Sequence, residues 1–353
     1  MLMCQFCRYE WSESTIEESF GFDSPVGELV GITVGSGAAG LQESAEDVLT
    51  LKCGACGAEV VVNTAEALQQ RCHWCRQTLS VNSQLPNGAV PDGVLPFQIT
   101  KEDAVSRITE FVKSRRFYAH PTFVRQFAPT EVVGVYLPYL LVDANAHLDL
   151  TGQGEILRRR YTRKQGNTTV TYYDADVYQL ARSFDLWVDD VVIESSAERA
   201  DMRAERNTNN IINSIQPFDV KNAVAYNANY LRGYTSEKRD LDIQNLGNEA
   251  YDRVMAIGRA RADESIVGYD RGVRWESEHL TVTGSRWVAV YLPVWLYSYF
   301  DGELTHYVAV NGRTGETMGS IPIRRGRLFA VSTTLGVLGT ILGGFIAWNF
   351  GVA

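Results

Sequence analysis

VVGVYLPYLLVDA, residues 132–144, returns later in the chain as WVAVYLPVWLYSY, residues 287–299, with Val-Tyr-Leu-Pro aligned at 135–138 and 290–293. Both copies are rich in β-branched and aromatic residues, which suit a pleated, half-buried backbone. Each is too short to cross a bilayer as a helix. They read as core strands with the proline at an edge or bulge, because proline cannot donate to a ladder. Hairpin-like sequence follows each copy. RRRYTRKQGNTTVTYYDADVY (158–178) holds a Gln-Gly-Asn turn, and HYVAVNGRTGETMG (306–319) holds Asn311-Gly312, a two-residue hairpin signal. Two helical segments lie between the copies. One begins near Ser196. The other begins near Ser236, with Ala250, Val254 and Ile257 on one face. A further helix precedes the first copy: Thr100 and Asp103 form a near capping box, and Ala104, Val105, Ile108, Phe111 and Val112 share a face. The body, residues 96–323, is therefore expected to be α+β, with two related halves around antiparallel sheets.

Ahead of the body, residues 81–95 form a linker with two Pro and two Gly in a polar run. Before that lie all six cysteines, in three Cys-x-x-Cys pairs. Cys53, Cys56, Cys72 and Cys75, in residues 48–80, have the spacing of a four-thiolate Zn²⁺ site, a zinc ribbon. Gly54 and Gly57 permit the tight turn of the first knuckle. A redox reading would want one pair at a helix N-terminus in a βαβ unit. His73 is then a bystander, because four thiolates fill the shell. Cys4 and Cys7, in residues 1–47, form an incomplete knuckle. It is a remnant without metal, a second site shared between two chains, or the end of a ribbon whose start lies upstream.

At the other end, residues 328–350 carry no charge and follow Arg324, Arg325 and Arg327. Twenty such residues match a bilayer core, so a C-terminal transmembrane helix is expected. The arginine flank predicts a single-pass protein of the bacterial inner membrane with its N-terminal body cytoplasmic. Gly339, Gly343, Ala347 and Gly351 recur every four residues, a stripe through which helices could self-associate into a homo-oligomer.

The chain has 353 residues, 45% hydrophobic and 21% charged, with net charge −9. That acidity argues against nucleic acid as a partner unless basic residues cluster. One dense basic run does so outside the membrane flank: Arg158, Arg159, Arg160, Arg163 and Lys164. It suits phosphates of lipid or RNA, or an acidic partner, or it is a solvated hairpin tip. No nucleophile elbow, zincin or phosphate-loop motif is present, so no catalytic residues and no enzyme are expected. His120, His147, His279 and His306 read as structural. Asp189-Asp190 in LWVDDVV reads as a strand end, since adjacent strand residues face opposite sides.

Taken together, KCGACGAEVVVN…RCHWCRQTL, ITKEDAVSRITEFVKSRRFYAHPTF, GVYLPYLLVDA, PFDVKNAVAYNANYLRGYTSEKRDLD, VYLPVWLYSY and VNGRTGETMGSIP resemble the bacterial TFIIB-type zinc ribbon-containing membrane protein family, the YdjG-like proteins. The resemblance covers most of the chain and departs at the missing first knuckle of the N-terminal ribbon. It implies association with SPFH (flotillin-like) or phage-shock PspA-type membrane-stress proteins. The function expected is a membrane-anchored zinc-ribbon adaptor or scaffold in membrane organisation or stress response. The alternatives are a membrane-tethered zinc ribbon that binds nucleic acid, and an enzyme with an unrecognised site.

Overall fold

In the computed structural model the two Val-Tyr-Leu-Pro segments pair with each other. The structure describes residues 91–166, 168–196, 212–226, 228–231, 233–237, 239, 241–302 and 304–350. Before residue 91 it describes 2–3, 10–11, 15–16, 24–35, 38, 48–52, 59–63, 69–73, 78–80 and 84–85. The main elements are α1 (Lys101–Ser114), α2 (Pro121–Gln126), β1 (Val133–Gln165), β2 (Thr168–Glu194), α3 (Ile243–Glu264), β3 (Val273–Phe300), β4 (Thr305–Asn311), β5 (Thr317–Gly319) and α4 (Arg325–Phe350).

β1 and β3 run antiparallel with Leu137 opposite Leu292, so Tyr136 faces Pro293 and Pro138 faces Tyr291. The expected two halves around antiparallel sheets are thereby corrected. Both copies are central strands of one mixed sheet, twelve-stranded among the described residues. Gly31–Val34 and Gly93–Val94 run parallel to β3, and Thr235–Glu237 runs parallel to β1. Two long strands carrying the same apolar pattern satisfy each other's edges directly, which leaves no reason to build separate sheets.

The prolines sit in these central strands, not at an edge. Within an antiparallel strand a residue's N–H and C=O point to the same side. The Pro138 carbonyl accepts from Ser195 N–H and the Pro293 carbonyl from Gly312 N–H, both outside the β1–β3 ladder. Each proline therefore turns its missing N–H away from that ladder. It does so where the outer neighbour changes: from Thr235–Glu237 to β2 beside Pro138, and from Gly93–Val94 to β4 beside Pro293.

Alternation along β1 divides the core. Val135, Leu137, Tyr139 and Leu141 pack on one side with Val290, Leu292, Phe218 and Val220. Leu140, Val142, Ala144, Ala146, Leu148 and Leu150 pack on the other, under Leu246, Ala250, Val254 and Met255 of α3. Each fully buried large side chain contributes about 1.5–3 kcal/mol. α1 lays Ala104, Ile108, Phe111 and Val112 on Trp295, Tyr297, Val308 and Val310. Its Thr100 cap accepts from Asp103 N–H at 3.2 Å, as the sequence predicts.

Other local expectations need correction. α3 begins at Ile243 behind a capping box of Asp242 and Asn245, whereas Ser236 lies in the short strand parallel to β1. The Asn311-Gly312 turn is a longer loop. Asn311 Oδ1 accepts from the N–H groups of Arg313 and Thr314, and pairing resumes at Val310 with Thr317. The helix expected near Ser196 falls on residues outside the described ones.

α4 occupies the stretch where a transmembrane helix is expected, but among the described residues no helix is long and apolar enough to cross a membrane. The helix opens on Arg325 and Arg327. Ser332, Thr333, Thr334 and Thr340 lower its hydropathy and return their hydroxyls to backbone carbonyls three or four residues back. The expected single-pass span over 328–350, and the inner-membrane placement that went with it, are corrected accordingly. In the proposed stripe, Gly339 has nothing within 4 Å of a Cβ built on it. The surroundings of Gly343 and Ala347 are not described, and Gly351 lies outside the described residues.

Candidate interaction arm

β3 accompanies β1 only as far as Gly154, opposite Val273. The β1–β2 hairpin continues alone from Glu155 opposite Val177 to Gln165 opposite Thr168. Eleven residues at about 3.3 Å each give an arm of about 35 Å. Gly166 closes it in the left-handed region at φ 65°, where a turn needs glycine. The root is braced: Leu157 N–H donates to Asp270, Arg271 N–H to the Glu155 carbonyl, and Arg271 forms an ion pair with Glu155 at 3.0 Å.

Beyond the root, aromatic and cationic side chains share both faces. Tyr161 stacks on Tyr172 across the strands, with centroids 5.7 Å apart. The guanidinium groups of Arg159 and Arg163 each lie 5.4 Å from the Tyr161 ring. On the opposite face Arg160 and Arg271 lie 5.7 and 4.3 Å from the Tyr173 ring. Arg158, at a bulge, pairs with Asp176. Arg159, Arg160, Arg163 and Lys164 form no ion pair with a described carboxylate. The basic run found in the sequence is thus gathered on a projecting ribbon. Its projection was not read from the sequence, because how far a strand outruns its neighbour is set by the partner's length. The available signal was the loss of apolar alternation after Leu157.

At the body end of the hairpin, Asp189-Asp190 is a bulge inside β2 and not a strand end. Val142 faces Val191 and Ala144 faces Val188, leaving two aspartates opposite Asp143. Asp190 takes φ 59°, which Asp tolerates better than bulkier residues, and donates its N–H to Asp143 at 2.8 Å. Arg286 Nε donates to the same buried carboxylate at 2.7 Å. Burial raises the Asp143 pKa, and the Asp190 N–H and Arg286 oppose that rise. One carboxylate oxygen from each of the three aspartates lies within 4.8 Å of the others, an arrangement that can accept a cation. Beside it runs an open cavity of about 540 Å³, lined by Asp189, Asp190, Phe218, Lys221 and Arg253 among others.

The cysteine ligands are placed only in part. Cys53, Cys56 and Cys75, and the proposed second pair Cys4 and Cys7, lie outside the described residues. Among the described residues no zinc-binding cysteine cluster is present. Cys72 is buried in an apolar cluster that includes Val60 and Leu296. Cys53 and Cys56 fall between paired strands Val48–Lys52 and Glu59–Asn63, and Cys72 and Cys75 between Gln69–Arg71 and Thr78–Ser80. His73 is buried and engaged with the body. Its backbone carbonyl accepts from Ser298, and its ring lies 3.4 Å from Thr235 Oγ1 and 3.9 Å from Glu237. The other histidines are dispersed. His120 caps α2 and His306 contacts Ser320 and Asp301. His147 contacts Asp185 at 2.7 Å and Ser183 at 2.9 Å, and His279 faces Asp149 across the ladder. The Asp185 hydrogen bond raises the His147 pKa.

The chain is 22% identical over 247 residues to the uncharacterized protein YdjG of Bacillus subtilis, a match covering 70% of this chain and 68% of that protein. No family model matches the chain. No solved structure matches it.

Proposed function

We propose that this chain is a binding adaptor whose β1–β2 arm grips an acidic segment of a protein partner. The observation that carries the reading is the group Arg159, Arg160 and Arg163, each beside a tyrosine ring and none in an ion pair with a described carboxylate. Guanidinium forks match carboxylates geometrically, and tyrosine adds contact area at low entropic cost. Exposed ion pairs contribute only about 0.2–1 kcal/mol each, so the grip needs several at once and suits a reversible contact. An SPFH- or PspA-type protein, the partner implied by the family resemblance, is the first to try.

One observation favours single-stranded nucleic acid as a second reading. Stacked Tyr161 and Tyr172 among arginines are a platform on which bases also stack. The net charge of −9 weighs against it. A photo-crosslinking amino acid in place of Tyr173 tests both. The adaptor reading expects discrete protein adducts in cells, absent when the same group replaces Asp252 on α3. Nuclease-sensitive adducts would favour the second reading. No adduct at all would count against the arm as a contact surface.

A further inference from the structure

A second basic and aromatic surface lies at the opposite end of the sheet, where two distant segments meet. SRRFYAH (114–120) and IPIRRGRLF (321–329) are held together by backbone bonds: Arg324 N–H to the Tyr118 carbonyl at 2.8 Å and His120 N–H to the Pro322 carbonyl at 2.7 Å. Ala119 also bridges Ile323. The Arg327 guanidinium donates to the Phe117 carbonyl at 3.1 Å and lies 5.6 Å from the Phe117 ring.

The join leaves large apolar side chains in the open. Phe117 is 58% exposed, Phe329 74%, and Ile323 and Leu328 nearly half. Among them stand Arg115, Arg116, Arg324, Arg325 and Arg327, all exposed, and none in an ion pair with a described carboxylate. The acidic group at the rim, Asp301, lies 3.3 Å from His306. A cavity of about 610 Å³ opens here, lined by Arg115, Tyr118, Leu304, Ile323, Arg325 and Leu328. Its wall is apolar and its mouth cationic.

From this juxtaposition we infer that residues 115–118 and 323–329 form a docking surface for an anionic phospholipid bilayer. The arginines meet headgroup phosphates and the phenylalanines enter the interfacial layer. Charge complementarity selects the occupant. Five arginines in an otherwise acidic chain match a negatively charged leaflet, which attracts each cation near it. Exposed aromatic and aliphatic side chains beside them are what an interface between headgroups and acyl chains accommodates. An acidic protein would satisfy the arginines but would not need Phe117 and Phe329 so far out of the fold. The surface is distinct from the arm, which has tyrosines stacked on one another and few aliphatic side chains.

Co-sedimentation of the full chain with vesicles tests this, using phosphatidylcholine alone and phosphatidylcholine with one quarter phosphatidylglycerol. Residues 330–350 of α4 are unchanged in every variant, so the rest of that helix contributes equally to each. The parent should bind the anionic vesicles about tenfold more tightly than the neutral ones. Arg116→Glu/Arg324→Glu/Arg325→Glu should remove that preference; none of these three side chains is in an ion pair with a described carboxylate. Arg159→Glu/Arg160→Glu on the arm should keep it. Phe117→Ser/Phe329→Ser, with every charge intact, should weaken binding to both vesicle types. Equal binding of the parent to both vesicles would overturn the inference. So would a triple variant that behaves as the parent. Undiminished binding of the phenylalanine variant would overturn the part of the inference that has the aromatic side chains enter the interfacial layer.

Discussion

The two ends of β1 belong to one continuous strand and obey different physics. From Tyr139 to Leu150 the strand lies between β2 and β3, under α3 on one face and the Phe218 cluster on the other. From Arg158 to Gln165 it has β2 as its only described partner, and its side chains are arginine, tyrosine, threonine, lysine and glutamine. The body half is hydrogen-bonded along both edges and the arm along one. Burial differs as well, and burial is what stabilises the sheet, since a hairpin alone is marginal in water. The arm is therefore held by its root and by cross-strand ring contacts. Its side chains are left available for something other than folding.

The largest effect should come where the two halves meet. Arg286→Ala leaves the buried Asp143 carboxylate without its guanidinium and should cost about 3–5 kcal/mol in urea unfolding. Burial already raises the Asp143 pKa. A raised carboxyl contributes stability below the ordinary aspartate range, and that contribution is lost as pH rises through the folded value. The deficit of the variant should accordingly be larger at pH 7.5 than at pH 4.5. A pH-independent deficit would place the cost elsewhere.

A matched pair of truncations sharpens the comparison. Leu148, fully buried beneath α3, should cost about 2–5 kcal/mol on replacement by Ala. Val177, 54% exposed at the arm, should cost within about 0.5 kcal/mol. Similar losses would mean that the arm is part of the cooperative core.

The smallest effect is local. His147 sits on the exposed face between Asp185 and Asp149. Its titration, followed by NMR, should fall above the ordinary histidine value of about 6.5 and return towards it in Asp185→Asn. The small stabilisation attached to it is fully present below that ordinary value and fades as pH rises through the raised one. An unshifted titration in the parent would remove Asp185 as the cause.

What the sequence disclosed was local. The Thr100 cap, the apolar face of α1 and the turn at Gln165-Gly166 are set by neighbours within four residues, and the structure keeps them. What it concealed depends on contacts far along the chain. Pro138 and Pro293 suggest edges only until one sees that each turns its ring to a change of neighbour. Asp189-Asp190 looks like a strand end because the bulge requires Asp143, more than forty residues away, to explain it. Ser236 resembles a helix start but is drawn into the sheet beside Val135 and Tyr136. The charge of the arm was legible at Arg158–Lys164, while its freedom from β3 was not. The basic flank of α4 was visible too, but its union with Arg115–Tyr118 was not.

The account's central claim is that the arm binds and the body folds. Arg159→Glu/Arg160→Glu/Arg163→Glu tests it when combined with the crosslinker at position 173. The unfolding midpoint should stay at the parent value, because these side chains are exposed and form no ion pair with a described carboxylate. The protein adducts should disappear. Adducts that persist with undiminished yield, or a midpoint that falls as far as it does for Leu148→Ala, would contradict it.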